Sequence, residues 1–213
     1  MAQTKLLIWD WNGTLLDDVQ LCLDILNQLL AKHGYPQHYD TVQYRQLFRF
    51  PIQDYYQDAG FDFSRHPYAG LSEEFMDLYV PDSESCPLTQ GAKAALEGAQ
   101  LQGIAQVILS ASPEQLLQQQ VSQRGIREYF RQLLGLSDIY AKSKLEMGVE
   151  FMRRAGVAPA QAVMVGDSVH DFETAQAMGT RCVLCCAGHQ CRQRLEETGS
   201  PVIDTLDQLL PLL

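Results

Sequence analysis

Basic residues are scarce in this chain of 213 residues: Lys and Arg number 16 against 26 Asp and Glu, for a net charge of −10. The sequence pI is about 4.8. No basic patch offsets this balance, so a polyanion such as DNA or RNA is repelled and nucleic acid is excluded as a partner. Long apolar runs are missing too. None reaches the roughly 20 residues that a bilayer-spanning helix needs, so no membrane partner is expected. The start, Met1-Ala2-Gln3-Thr4-Lys5, lacks the pattern of a signal peptide and leads straight into a strand-like run, so the expected location is the cytoplasm. Internal repeats, low-complexity tracts and linkers are absent as well. That leaves one large domain, or a core carrying a sizeable insertion.

What is present in quantity is apolar surface, 46% of residues, the ordinary share for a protein that buries a real core. Six cysteines occur, at 22, 86, 182, 185, 186 and 191. Cys182-x-x-Cys185, with His189 and Cys191 nearby, invites a zinc reading. The run Arg181-Cys182-Val183-Leu184-Cys185-Cys186 also reads as a buried strand, in which residues three apart point to opposite faces. On that reading Cys182 and Cys185 cannot share an ion, and the thiols are buried and reduced.

Residues 5–11 read as a buried strand, and Asp17 and Asp18 suit the start of a helix that carries Val19, Cys22, Leu23, Leu26, Leu29 and Leu30 at helical spacing. Residues 36–85 show no strand alternation and contain short helical stretches, such as 40–50 and 71–79. After Pro87 the pattern alternates. Helices are predicted over 90–101, from Ser112-Pro113-Glu114-Gln115 onward, 144–154, 171–178, 192–197 and 205–210. Strands are predicted over 105–109, 133–136, 162–165, 182–185 and 201–203. Strands alternating with helices imply an α/β fold, a doubly wound parallel sheet covered on both faces, with 1–15 and 87–213 as the core domain and 16–86 as a helical insertion.

Ligands of such sheets bind at the carboxyl ends of the strands. Asp10, Ser110 and Asp167 all stand there. Asp10 is the candidate nucleophile, since a carboxylate can attack phosphorus to form an aspartyl-phosphate. Gly13 allows a sharp turn that lets main-chain N–H groups, Thr14 included, face a phosphate. Ser110 and the amide of Ala111 offer further donors. A lysine should balance the charge, and Lys144, at the first position of a helix capped by Ser143 and Glu146, fits better than Lys142. Asp10, Asp167 and a backbone carbonyl present oxygen ligands suited to Mg²⁺. Asp171, one turn further, is either a ligand or a group that orients Asp167 or a water. Arg49, between Phe48 and Phe50, could anchor a substrate carboxylate or second phosphate.

Together, Asp10-Trp11-Asn12-Gly13-Thr14, Ser110, Lys144 and Gly166-Asp167-x-x-x-Asp171 resemble the four motifs of the haloacid dehalogenase superfamily, and within it the phosphoglycolate-phosphatase-like group. The resemblance covers essentially the whole chain. It implies a Rossmann-like core, a helical cap that closes over the substrate, Mg²⁺, and hydrolysis of a small phosphate ester or acyl phosphate by a phosphoric monoester hydrolase acting as a monomer or homodimer. The departure is Asn12, where phosphatases of this family usually carry an aspartate that serves as general acid and base. Asn12 keeps the metal-binding backbone carbonyl and cannot exchange a proton, a loss of roughly 10²–10⁴-fold in rate for a poor leaving group. An activated substrate, a substitute acid, or a catalytically weakened phosphate-binding or protein-binding module are the outcomes this leaves open. Carbon–phosphorus cleavage would need a lysine from the insertion, which holds only Lys32. Retained Mg²⁺ ligands speak against dehalogenation. A receiver-type signalling domain would place its acidic pair near the first strand and its phosphorylated aspartate on a middle one.

Overall fold

The computed structural model describes residues 3–136 and 143–213, so Lys142 lies outside the described residues. Strand β1 (Leu6–Trp9) is wholly buried. Its continuously apolar sequence suits a central position with helices on both faces. Around it the sheet adds β2 (Ala105–Pro113), β3 (Gln132–Leu136), β4 (Ala162–Gly166), β5 (Arg181–Cys185) and β6 (Val202–Ile203), in the order β3-β2-β1-β4-β5-β6. Every pairing is parallel; Leu6, for example, aligns with Ala105 on one side and Ala162 on the other. The expected α/β parallel sheet is therefore what forms.

The order of the chain steps outward from β1 in both directions, which creates a crevice at the carboxyl ends of β1, β2 and β4. Helices α5 (Ala92–Leu101), α6 (Glu114–Gln123), α7 (Lys144–Arg154), α8 (Val169–Met178) and α9 (Arg192–Glu196) connect the strands. One apolar cluster covers one face with Leu7, Trp9 and Val163; another covers the opposite face with Leu6, Ile8 and Met164. The two tryptophans of the first segment are buried because their indole N–H groups find partners: Trp9 donates to Gln106 Oε1 (3.0 Å) and Trp11 to Gln120 Oε1 (2.7 Å). Cys182 packs in the second cluster and Cys185 in the first, on opposite faces of β5, so the two do not chelate one ion. Both thiols are free, and burial pushes each above its ordinary value.

Between β1 and α5 the chain forms α1 (Val19–Lys32), α2 (Thr41–Leu47), α3 (Ile52–Asp58), α4 (Tyr68–Asp82) and a 3₁₀ turn at Ser83–Ser85. These helices bury a core of their own, from Val19 and Leu26 to Tyr56 and Tyr79; Leu116 on α6 is the packed member from outside. The chain leaves and re-enters the α/β core side by side: Asp17 N–H donates to Pro87 C=O and Thr89 N–H to Leu15 C=O.

Three local expectations are corrected. The helix over 40–50 stops at Leu47, because Pro51 disfavours helical backbone before it, and α3 starts anew. Ser112 does not cap a helix. Strand β2 continues past Ser110 to Pro113 through an irregularity, and α6 begins at Glu114. The last helix, expected over 205–210, is instead two 3₁₀ turns, Leu206–Gln208 and Leu210–Leu212, since Pro211 has no N–H to continue a helical ladder.

Candidate active site

Asp10 follows β1 directly, its N–H donating to Val165 C=O of β4, so its side chain is held at the sheet's carboxyl edge. It is 6% exposed. Lys144 opens α7 behind a complete capping box formed by Ser143 and Glu146, which aims its side chain back at the strand ends. Its ammonium contacts Asp10 Oδ1 and donates to Asp171 Oδ1 at 2.6 Å. Thr14 Oγ1 lies within reach of both Asp10 Oδ2 (3.3 Å) and Asp167 Oδ1 (3.2 Å) and so bridges the two carboxylates. Asp10, Asp167 and Asp171 offer oxygens that all lie within 4.8 Å of one another.

Asp171 has both oxygens engaged. Oδ1 takes Lys144, while Oδ2 accepts from Ser168 Oγ (2.6 Å) and from the N–H groups of Ser168 and Asp167. It closes the turn between β4 and α8 and fixes Lys144. Its contacts orient Lys144 and the Asp167 backbone, and its oxygens also belong to the acidic group that could hold a metal ion.

Three buried carboxylates facing one ammonium leave two uncompensated negative charges. Burial first, then the charge of Asp171, pushes the Asp10 carboxyl well above its ordinary range, and Lys144 only partly opposes this. Asp167 is raised as well, chiefly by burial. For Asp171 burial is outweighed by Lys144, which holds it ionised. One ammonium cannot neutralise both of its carboxylate partners. An all-oxygen donor set short by two positive charges fits a hard divalent cation such as Mg²⁺.

The structure places residues here that the sequence reading did not. Asp18, expected only at a helix start, makes no cap bond and turns inward, 1% exposed. It accepts from Gly13 N–H (2.8 Å), Asn12 Nδ2 (2.8 Å) and the Tyr79 hydroxyl (2.7 Å). His189 Nε2 stands 3.3 Å from Asp18 Oδ1, its Nδ1 meets the Tyr44 hydroxyl at 2.8 Å, and its backbone N–H donates to Asp167 Oδ2 at 2.6 Å. His189 thus serves a carboxylate and a tyrosine, and with Asp18 and Cys22 it forms a second group whose ligand atoms lie within 4.8 Å of one another. It follows the carboxyl end of β5, and the strand-end logic that found Asp167 would have found it. Gly188 before it has no room for a side chain: a Cβ would fall 2.2 Å from Asp167 Oδ2.

Burial disfavours the imidazolium of His189, but the hydrogen bond and charge of Asp18, aided by Asp167 and Asp10, outweigh it and hold its pKa at about 8. Burial likewise opposes ionisation of Asp18, and the charge of His189 more than reverses it.

Gly13 and Thr14, expected to bind phosphate, are otherwise engaged. The backbone at Gly13 is left-handed (φ +70°), and a Cβ there would fall 2.4 Å from both Asp167 and His189. Its N–H is taken by Asp18, and that of Thr14 turns to Trp11 C=O. Ser110, 1% exposed, accepts the Ser112 N–H at 3.0 Å and, with Ala111, lines the same cavity as Asp10 and Lys144. Asn12 is held on three sides: its Oδ1 accepts from Ser112 Oγ (2.6 Å), and its Nδ2 donates to Asp18 and Tyr79. Arg49 is not brought in. It pairs with Asp54 (3.1 Å) and Asp58 (2.6 Å) on α3, at the outer surface. Lys32 is also outside, paired with Glu74.

The titration of this cluster has a measurable consequence. Without metal, Asp10, Asp167 and His189 all keep their protons to higher pH than in the unfolded chain. The folded state therefore binds more protons through this range, and stability falls as pH rises. The share from His189 is complete below its unfolded value of about 6.5 and is lost through about 8. Asp18 and Asp171 act oppositely, and only under acid conditions. Chelator-treated protein is expected to melt lower at pH 8.5 than at pH 6 by roughly 2–4 °C, the shift that about 1 kcal/mol gives at this size. Millimolar Mg²⁺ is expected to raise the midpoint more at the higher pH. A melting temperature that climbs over this range in chelator would refute this account.

The family described as haloacid dehalogenase-like hydrolase matches residues 7–185. The chain is 28% identical to a phosphoglycolate phosphatase of Pseudomonas putida over 220 residues, covering 97% of this chain and 79% of the relative. It is 29% identical to one of Pseudomonas savastanoi pv. phaseolicola over 217 residues, with the same coverage. A haloacid dehalogenase-like family hydrolase of Streptococcus pneumoniae superposes with a TM-score of 0.83 at 16% identity, over 100% of this chain and 99% of that one. No helix among the described residues is long and apolar enough to cross a membrane. The chain belongs to the haloacid dehalogenase-like hydrolase family.

Proposed function

We propose that the protein is a Mg²⁺-dependent phosphatase that hydrolyses a small phosphate ester or acyl phosphate through an aspartyl-phosphate on Asp10. The observation that carries this reading is the buried group of Asp10, Asp167 and Lys144 at the floor of a cavity of about 500 Å³. The names of the relatives support phosphoryl chemistry.

Asp10 attacks phosphorus in line, and the bond to the leaving oxygen breaks. Asp10, Asp167 and the backbone carbonyl of Asn12 would hold the cation, which would remove the repulsion between carboxylate and phosphoryl group. Asp171 orients Lys144, and Lys144 offers positive charge to the phosphoryl oxygens as they draw near. Ser110 has its hydroxyl proton free for a phosphate oxygen, since its Oγ accepts rather than donates in the bond to Ser112. Helices α1 to α4 act as the cap that excludes water, with residues 16–86 as its extent. Water then attacks the phosphoryl-aspartate, which releases phosphate and restores Asp10.

Asn12 favours a second reading, a phosphate-binding or protein-binding module with residual turnover, because the residue that faces the leaving oxygen has no exchangeable proton. The two readings separate on acetyl phosphate and p-nitrophenyl phosphate, whose leaving groups need little protonation. Steady turnover that requires Mg²⁺ and stops with chelator is expected. Wild-type protein that stays silent on both compounds would leave the binding reading in its place.

A further inference from the structure

We propose that the leaving group accepted by this site is an uncharged aromatic alcohol, which makes the substrate an aryl phosphate monoester. The inference rests on the phosphatase reading and concerns the walls of the same cavity. Above Asp10 these walls are aromatic: Phe48, Phe50, Tyr56, Tyr68 and Phe75 line it from α3, α4 and the segment joining α2 to α3. Several are already arranged as ring pairs, such as Phe75 stacked on Tyr79 at 5.8 Å and Phe48 on His189 at 4.8 Å. Its volume exceeds what a two-carbon group would fill and suits a ring or two.

Charge decides what cannot enter. Among the described residues the cations lining the cavity are Lys144 and His189, both at its floor. Lys144 is committed to Asp10 and Asp171, and His189 to Asp18. The other charged side chains of the lining are Asp10, Asp18 and Asp167, all negative. The arginine that would have met a substrate carboxylate, Arg49, is bound to Asp54 and Asp58 outside. A carboxylate or second phosphate on the leaving group would be buried against apolar rings without a counter-charge from the described residues.

A separate observation leads to the same class. Asn12 holds no proton to give, and the Tyr79 hydroxyl and His189 are both committed to Asp18, so the leaving oxygen departs as an anion or takes its proton from water. A phenol, with a pKa near 10, tolerates this; an alkyl alcohol, closer to the roughly 16 of water, does not. The step balances: the bond between Asp10 Oδ and phosphorus forms as the aryl oxygen–phosphorus bond breaks, and the phenolate takes a proton from solvent. Water then cleaves the acyl phosphate, so the net reaction is aryl phosphate plus water giving phenol and inorganic phosphate.

The test compares kcat/KM for 1-naphthyl phosphate, 3-carboxyphenyl phosphate and 2-phosphoglycolate with Mg²⁺. 1-Naphthyl phosphate is expected to exceed 2-phosphoglycolate by roughly 10²-fold, and 3-carboxyphenyl phosphate by roughly tenfold. Met76→Arg, which sets a cation on the cavity wall, is expected to move the carboxyphenyl-to-naphthyl ratio upward by roughly tenfold. Wild-type preference for either carboxylate-bearing ester, or parity with it, overturns the inference. If no ester is turned over, the phosphatase reading fails by itself, and binding decides the leaving-group class. In that case naphthyl fluorescence is titrated with Asp10→Asn protein and competed with 2-phosphoglycolate and inorganic phosphate. Tighter binding of 1-naphthyl phosphate than of both competitors upholds the inference, and equal or weaker binding overturns it.

Discussion

Asp10→Asn is expected to lower turnover of acetyl phosphate by roughly 10⁴-fold or more while leaving the protein folded. The amide keeps the shape of the carboxylate: its oxygen can still accept from Lys144, and its NH2 can donate to the Thr14 hydroxyl, the two groups that contact the Asp10 side chain in this site. It also removes a carboxylate whose ionisation the buried cluster opposes, so the melting temperature in chelator should hold or rise, and most at high pH. Activity and thermal melting measured on the same preparation separate lost chemistry from lost structure. A variant that retains a tenth of the activity would place the nucleophile elsewhere. One that is inactive because it melts would show that Asp10 is structural first.

Asn12→Asp is expected to raise kcat for simple alkyl phosphates by roughly 10²-fold or more, and to change p-nitrophenyl phosphate little. The reason is local. A carboxyl at position 12 would sit where the Asn12 amide now donates to Asp18, 2.8 Å away. Two carboxylates this close cannot both ionise, so the pair shares a proton held to unusually high pH. Such a proton is what a poor leaving oxygen requires. The dependence of rate on leaving-group pKa should therefore be steep in the wild type and shallow in the variant. Equal slopes would mean that another group, within reach of the leaving oxygen, already supplies the proton. Activity that appears only in the variant would mark the wild type as an intact site used for binding.

Much of this site can be read along the chain. Asp10, Ser110 and Asp167 were locatable because a buried parallel strand is a continuous apolar run, and polar residues at its end fall at the edge where ligands bind. Lys144 was locatable because Ser143 and Glu146 announce the helix start that points it there. The opposed faces of Cys182 and Cys185 follow from strand alternation alone. Each of these inferences uses residues within a few positions of one another, where backbone geometry is nearly fixed by residue type.

Asp18 and Arg49 show where that ends. Two adjacent aspartates before an apolar helix look like a cap, yet Asp18 turns inward because Asn12, Tyr79 and His189 are gathered around it from positions 6, 61 and 171 residues away. Arg49 beside two phenylalanines looks like an anchor, yet α3 presents Asp54 and Asp58 to it on the outer surface. By itself the sequence determined the parallel sheet, the strand-end carboxylates and the lysine, since these are local consequences of periodicity and capping; the departure at Asn12 follows from the resemblance of the first motif to the family. Only the tertiary structure decided which side chains line the cavity, that Asp171 contacts Lys144, and that the cavity is aromatic and without a free cation among the described residues. Those depend on contacts between distant segments, and such contacts are set by how whole elements pack rather than by the residues beside them.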